Sequence, residues 1–310
     1  MSNRIQEIND ALHQLELFKL DEKYKDSLYA IEENINFLKS IKTIPGYIKW
    51  LFSRGFKLDR RRLLELTDFP VEEWDIKMHK KLIEMQKKDK PGLLNPLVNS
   101  IFQFASTQQK DLVIANLGAG GMEADRQVIK KLLKSKLPHK FTFVAIDKSD
   151  TTRMIAKNNL SELQDQIEII EEELLDKKRL EFLRSKTQKN ILVILCSNNI
   201  FELLSHFSQN YFDLIYHSLF KHHLKNDEHL KLDQILHLLS KHIIEFDGYR
   251  NIPIIILQTL VGWDYPHFLN AELFSNFRFS TKQEIQDYAK AKGPVKFYAN
   301  SGFYLLSLNS

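Results

Sequence analysis

Gly118, Gly120 and Gly121 follow an aliphatic run, Leu112-Val113-Ile114-Ala115-Asn116-Leu117, and can bring bare backbone against a ligand. Glycine has no Cβ, so each can take positive φ and turn its amide toward a nucleotide that a larger side chain would exclude. Asp147 ends a second run, Phe141-Thr142-Phe143-Val144-Ala145-Ile146, and its carboxylate can accept from both hydroxyls of a ribose. His217, His222, His223 and His229 crowd a later segment, where one imidazole can take a proton from an attacking hydroxyl or amine. Two tasks are implied: cradling a nucleotide-like ligand and handling a proton nearby. No metal is expected, because the chain has no H-E-x-x-H and no cysteine pair. The adjacent His222 and His223 cannot readily turn both rings on one ion from a helix.

These residues meet only if parallel strands deliver them to one edge of a sheet, since ligands of open α/β sheets bind at the carboxyl ends of the strands. Residues 112–117 and 141–147 are predicted as two such strands, with Ser149 or Asp150 capping the helix after the second. Asn190 to Cys196 reads as a strand buried on both faces, ending in Ser197, Asn198 and Asn199. Tyr211 to Leu224 reads as a further strand with the histidine loop beyond it. Ile252 to Leu260 reads as a fifth strand, leading into the aromatic loop Gly262-Trp263-Asp264-Tyr265-Pro266-His267-Phe268. Residues 166–186 read as additional amphipathic helix after one short strand. Alternatively Ile167 to Ile170 is itself the third strand, and then Glu171 or Glu172 lies nearer the ligand's base than Asn198. Leu230, Ile235, Leu238 and Leu239 predict a helix, Thr281 and Glu284 have capping-box spacing, and Val295–Tyr298 with Phe303–Leu308 reads as a hairpin.

The glycine turn departs from the dinucleotide form G-x-G-x-x-G, because the third glycine position falls on Glu123, whose carboxylate would face a pyrophosphate. Asn116 to Met122 instead resembles the first motif of class I S-adenosylmethionine-dependent methyltransferases, an acid followed by alternating glycines. Asn116 replaces the acid and Met122 the third glycine. The resemblance covers roughly residues 110 to 310 and implies an α/β fold: a Rossmann-like, mostly parallel seven-stranded sheet with a C-terminal antiparallel hairpin. It implies S-adenosyl-L-methionine as cofactor, held by Asn116, Gly118, Ala119, Gly120, Asp147, Lys148, Ser197, Asn198 and His217. His222 and His223 are the candidate catalytic bases, and Trp263, Tyr265 and His267 the candidate wall of the substrate pocket. The reaction implied is methyl transfer to an oxygen or nitrogen nucleophile, with a small molecule as first choice of acceptor. The alternatives are an RNA or protein acceptor, an NAD(P)-binding oxidoreductase, and a cofactor-binding protein without catalysis.

Residues 1–108 differ in kind from 109–310 and read as an all-helical N-terminal domain, a cap or lid over the cofactor-binding domain. Ile5, Ile8, Leu12 and Leu15, then Leu28, Ile31, Ile35 and Leu38, keep helical spacing. Pro45-Gly46 and Lys90-Pro91-Gly92 read as breaks. Between Lys39 and Arg62 basic residues interleave with Tyr47, Trp50, Phe52 and Phe56, a composition that keeps nucleic acid open as a partner. The single cysteine, Cys196, excludes an intrachain disulfide framework and reads as packed and inert. With 43% hydrophobic and 27% charged residues, no basic start leading into an apolar stretch and no long apolar run, a cytoplasmic protein without a membrane span is expected.

Overall fold

Burial on both faces of consecutive apolar residues is what makes a central parallel strand, and β1 (Leu112–Leu117) is buried throughout. The computed structural model describes residues 2–63, 93–173, 175–197, 199–251, 255, 263, 277–290, 292–298 and 302–309. Beside β1 lie β2 (Phe141–Asp147) and β5 (Leu214–Ser218), both parallel to it. Outward from β2 come β4 (Ile191–Ser197) and β3 (Glu168–Glu172), and outward from β5 comes β6 (His242–Gly248). The hairpin of β7 (Val295–Tyr298) and β8 (Phe303–Asn309) joins β6 through β8, antiparallel, so the order is β3-β4-β2-β1-β5-β6-β8-β7.

Among the described residues the sheet therefore has eight strands, one more than expected. Both segments that competed for third place are strands: residues 191–197 lie against β2, and residues 168–172 form an added outer edge. Register sets Asp147 abreast of Ser197. The strand beside β5 is β6, which the apolar pattern hid because Glu245 and Asp247 interrupt it; both are buried, and both have partners described below. The expected strand at 252–260 falls almost wholly outside the described residues, and Ile255, which is described, is helical.

Helices cover both faces. Glu123–Ser135, Asp150–Leu160 and Asn95–Thr107 share one core with alternate residues of β1, β2 and β4. Lys177–Lys186, Asn226–Leu239 and Lys282–Lys290 pack on the other. Helix 226–239 forms as expected but buries Leu232, Leu236 and Leu239, leaving Leu230 and Leu238 exposed. Thr281 and Glu284 make the reciprocal capping bonds, Thr281 N donating to Glu284 Oε2 at 2.7 Å and Glu284 N to Thr281 Oγ1 at 3.2 Å.

The N-terminal helices α1 (Ser2–Leu20), α2 (Leu28–Ser40) and α3 (Ile44–Ser53) form a third core, which also takes in Ile255 and Phe277 from beyond β6. Pro45 does not end a helix here. It sits in the first turn of α3, where its missing N–H costs nothing, behind Thr43 as N-cap. No helix among the described residues is long and apolar enough to cross a membrane.

Candidate active site

The five inner parallel strands end along one edge of the sheet, and the glycine turn, Asp147 and Ser197 lie there. β1 runs into the glycine turn, where Gly118 (φ 63°) and Gly120 (φ 51°) take the left-handed conformation that L side chains rarely adopt. Gly121 does not; Met122 (φ 55°) does, as N-cap of helix Glu123–Ser135. A Cβ on Gly120 would meet nothing within 4 Å, so open space lies over this amide. A Cβ on Gly118 would lie 2.3 Å from the ring of Phe220, so that glycine is needed for packing.

Asp147 faces the turn across the gap between β2 and β1. Its Oδ2 accepts from Gly120 N at 2.9 Å and its Oδ1 from Ser149 N at 3.0 Å. Ser149 in turn caps the next helix through Thr152 N, so cap and carboxylate are held together. Ala119 lies in the turn, with its N–H donating to Ile146 O at 3.1 Å, and Lys148 is exposed beside Asp147. Ser197, abreast of Asp147, donates to Asp150 Oδ1 at 2.7 Å, and Asn198 lies outside the described residues. Glu171 and Glu172 are engaged by Lys157, Arg153 and Arg179, and their strand lies outside β4, which is the one paired with β2.

Asn116, in place of the expected acid, is buried. Its Nδ2 donates to Asp125 Oδ2 at 2.7 Å, its Oδ1 has no partner, and the Tyr216 hydroxyl donates to the other oxygen of Asp125. Burial pushes the Asp125 carboxyl up to about 6, and burial together with that carboxylate pushes the Tyr216 phenol well above its ordinary value. His217 is fully buried with neither ring nitrogen hydrogen-bonded, its Nε2 3.7 Å from Glu245, and burial lowers its pKa.

The loop after β5 turns sharply at Leu219 (φ 53°), whose N–H donates to Phe246 O at 2.9 Å, and this bend lays Phe220 on Gly118. Non-glycine residues at such φ cost on the order of 1–3 kcal/mol and gather at ligand sites. Beyond Phe220, Lys221 Nζ lies 3.0 Å from Asp233 and 3.3 Å from Glu245. Burial opposes the lysine charge, but Glu245, Tyr288 and Asp233 outweigh it and raise its pKa. Burial likewise works against the Glu245 carboxylate, yet Lys221, His217 and the Tyr304 hydroxyl hold it below its usual range.

His222 Nδ1 is 2.9 Å from Asp247 Oδ1, and both residues are buried. Burial pushes the Asp247 carboxyl up to about 7, against the bond it accepts from Gly248 N. His223, half-buried, lies against His222 with ring centroids 4.0 Å apart and planes tilted by 41°, while Phe279 meets the His222 ring edge-on at 4.6 Å. His222, Asp247, Lys221, Arg278 and Tyr288 line a cavity of about 250 Å³ between β6 and helices 226–239 and 282–290. Phe220, which lies against Gly118, is followed in the chain by Lys221 and His222 of the cavity lining.

Of the expected pocket wall, Tyr265 and His267 lie outside the described residues. Trp263 packs in the N-terminal core, edge-on to Tyr47 and under the Arg4 guanidinium. Asp247, Glu245 and Phe220 were not foreseen. The signal for Asp247 was a carboxylate one residue before a strand-ending glycine, as Asp147 ends β2. Cys196 is buried and its thiol pushed up to about 12 by burial, which makes it unreactive. Among the described residues, no group of three His, Cys, Asp or Glu side chains is placed to hold a metal.

Strand order, terminal hairpin and glycine turn give this chain the fold of class I methyltransferases, with β3 as an additional edge strand. No family model matches the chain, and neither does any curated protein. Among solved structures it is similar to the plantazolicin methyltransferase BpumL in complex with a triazolic desmethylPZN analog and SAH. That match has 12% identity, covers 84% of this chain and 99% of that one, and has a TM-score of 0.48. It is also similar to the CurJ carbon methyltransferase, at 11% identity over 96% of this chain and 70% of that one, with a TM-score of 0.46. A SAM-dependent methyltransferase from Aquifex aeolicus matches at 15% identity over 73% and 96%, with a TM-score of 0.42.

Proposed function

We propose that the protein is an S-adenosylmethionine-dependent methyltransferase acting on an oxygen or nitrogen nucleophile of a small molecule. One observation carries the reading: an open, left-handed Gly120 backbone faces the Asp147 carboxylate at the carboxyl end of adjacent parallel strands. The residues fit the cofactor. The space over Gly120 admits a ligand that a Cβ would exclude, Asp147 offers acceptors for the ribose hydroxyls, and Asn116 Oδ1 is a buried acceptor still without a donor. When bound, the cofactor supplies an electrophilic methyl group on a sulfonium.

The chain's own residues then bind, orient and deprotonate. Asp147 and the glycine turn hold the nucleoside part, and Ser197 borders the base. The cavity beyond Phe220 receives the acceptor, where Asp247 fixes the His222 ring through Nδ1 and Nε2 takes the proton when an O–H or N–H attacks. His223 supports the ring by a tilted ring contact. The cavity, at about 250 Å³, favours a small acceptor group. Against a dinucleotide stands Glu123, buried and paired with Arg126 where a pyrophosphate would meet the helix start.

Calorimetric titration with S-adenosylmethionine, its demethylated product and NADH tests the binding half, and transfer of a labelled methyl group tests the enzyme. Binding of the two sulfur compounds, lost in Asp147→Ala, is expected. A nicotinamide that binds where they do not overturns the proposal.

A further inference from the structure

The basic, aromatic segment between Lys39 and Arg62 has no part in the site above. The structure divides it in a way its composition does not show. Tyr47 and Trp50, the rings best suited to stacking on bases, are 4% and 5% exposed and lie against Phe37 in the N-terminal core. What α3 turns outward is Ile44, Ile48 and Phe52, 57%, 49% and 66% exposed. Their i, i+4, i+8 spacing makes one continuous apolar stripe along the helix. Phe56 extends it, its ring 5.6 Å from that of Phe52.

Lysine flanks the stripe, and acid is absent from it. From Asn34 to Leu58 the sequence has no Asp or Glu but has Lys39, Lys42, Lys49, Arg54 and Lys57. Arg54 turns back onto Glu33 and Lys39 onto Glu16. Lys42, whose Nζ donates to Asn9 Oδ1 at 2.8 Å, and Lys49 and Lys57 are exposed around the stripe. An aliphatic stripe with a cationic rim complements acyl chains beneath anionic headgroups. A protein partner is disfavoured by area, since a stable interface needs about 800 Å² on each side, more than one face of a helix of 10 residues supplies.

We propose that α3 is a docking surface for an anionic phospholipid membrane, with Ile44, Ile48 and Phe52 entering the headgroup–acyl boundary and Lys42, Lys49 and Lys57 meeting phosphates. The helix lies on the membrane and does not cross it. This inference stands whether or not the chain transfers methyl groups.

The test is co-sedimentation of the full chain with vesicles of phosphatidylcholine alone or mixed with phosphatidylglycerol, at low and high salt. Binding to the anionic vesicles at least about tenfold stronger than to the neutral ones, and weakened by salt, is expected. Ile48→Glu and Phe52→Glu each lower it at least about tenfold, and Lys49→Glu lowers it at low salt only. All three positions are exposed, so melting temperatures stay at the wild-type value and loss of fold is excluded as a cause. No preference for anionic vesicles, or partitioning that Phe52→Glu leaves unchanged, overturns the proposal. So does single-stranded RNA binding, or self-association, that the same substitution abolishes.

Discussion

Gly118→Ala and Gly120→Ala place the same methyl group two residues apart in one turn, and the structure gives them opposite consequences. Both glycines have positive φ, 63° and 51°, so both alanines carry the left-handed cost of about 1–2 kcal/mol. At Gly120 that is the whole stability cost, because the new Cβ meets nothing within 4 Å. At Gly118 the Cβ lies 2.3 Å from Phe220 Cδ2 and 3.0 Å from its Cβ, so the ring and its base must both move. Overpacking of this kind adds roughly 1–3 kcal/mol, for about 2–5 kcal/mol in all. Cofactor binding runs the other way: the Gly120 methyl fills the space a ligand would occupy, while the Gly118 methyl is directed at Phe220. Urea unfolding gives the stabilities and calorimetry the affinities. Gly120→Ala is expected to lose S-adenosylmethionine binding at small cost in stability, and Gly118→Ala to lose more stability, part of it restored by Phe220→Ala. If Gly120→Ala binds the cofactor like wild type, the open space over that amide is not the cradle. If the two variants are equally stable, the reasoning about Phe220 fails.

Asp147→Asn leaves one carbonyl oxygen where two oxygens accept from Gly120 N and Ser149 N, and loss of a charged acceptor should weaken cofactor binding about ten- to a hundredfold; an unchanged Kd would contradict the ribose role. Asp125 keeps its proton to about 6 against an ordinary 3.8, so between these values the native state binds a proton the unfolded chain has released. Stability contributed by this group therefore falls as pH rises through that window, and Asp125→Asn should flatten the fall in urea melts taken across it; an identical slope in the variant argues against the burial assigned here. Lys221→Met leaves Asp233 and Glu245 facing each other without their cation, at an expected cost of about 3–5 kcal/mol in denaturant unfolding, and a near-neutral result would mean the pair is solvated.

β1, β2 and β4 were legible because strands buried on both faces are written as unbroken apolar runs. The hairpin was legible because its turn residues separate two short runs rich in aromatic and aliphatic residues. β6 was not: Glu245 and Asp247 read as polar interruptions until Lys221, Tyr304 and His222 are seen around them, and those partners come from distant parts of the chain. Asp147 could be picked out because its position beside the glycine turn follows from where its own strand ends. Phe220 could not, since what matters is its approach to Gly118, set by the left-handed bend at Leu219. In helix 226–239 the periodicity announced a helix but only part of its packed face: Leu239 is in the core and Ile235 packs against it, while Leu230 and Leu238 are leucines that point to solvent. The basic segment shows the limit most plainly: composition counts aromatic rings, and only packing says which of them remain outside.

The outermost strand carries a consequence for the life of the protein at high concentration. A parallel sheet that ended at β4 would offer its apolar backbone edge to any extended chain. β3 occupies that edge with three glutamates among five residues, Glu168 bonded to Thr187 and the other two ion-paired to Arg153, Lys157 and Arg179. The opposite border, β7, presents Lys296 to water. A stray peptide adding itself at the β3 border must first strip these pairs, so fibril growth from the native sheet is discouraged, and the extra strand acts as a bumper for the molecule.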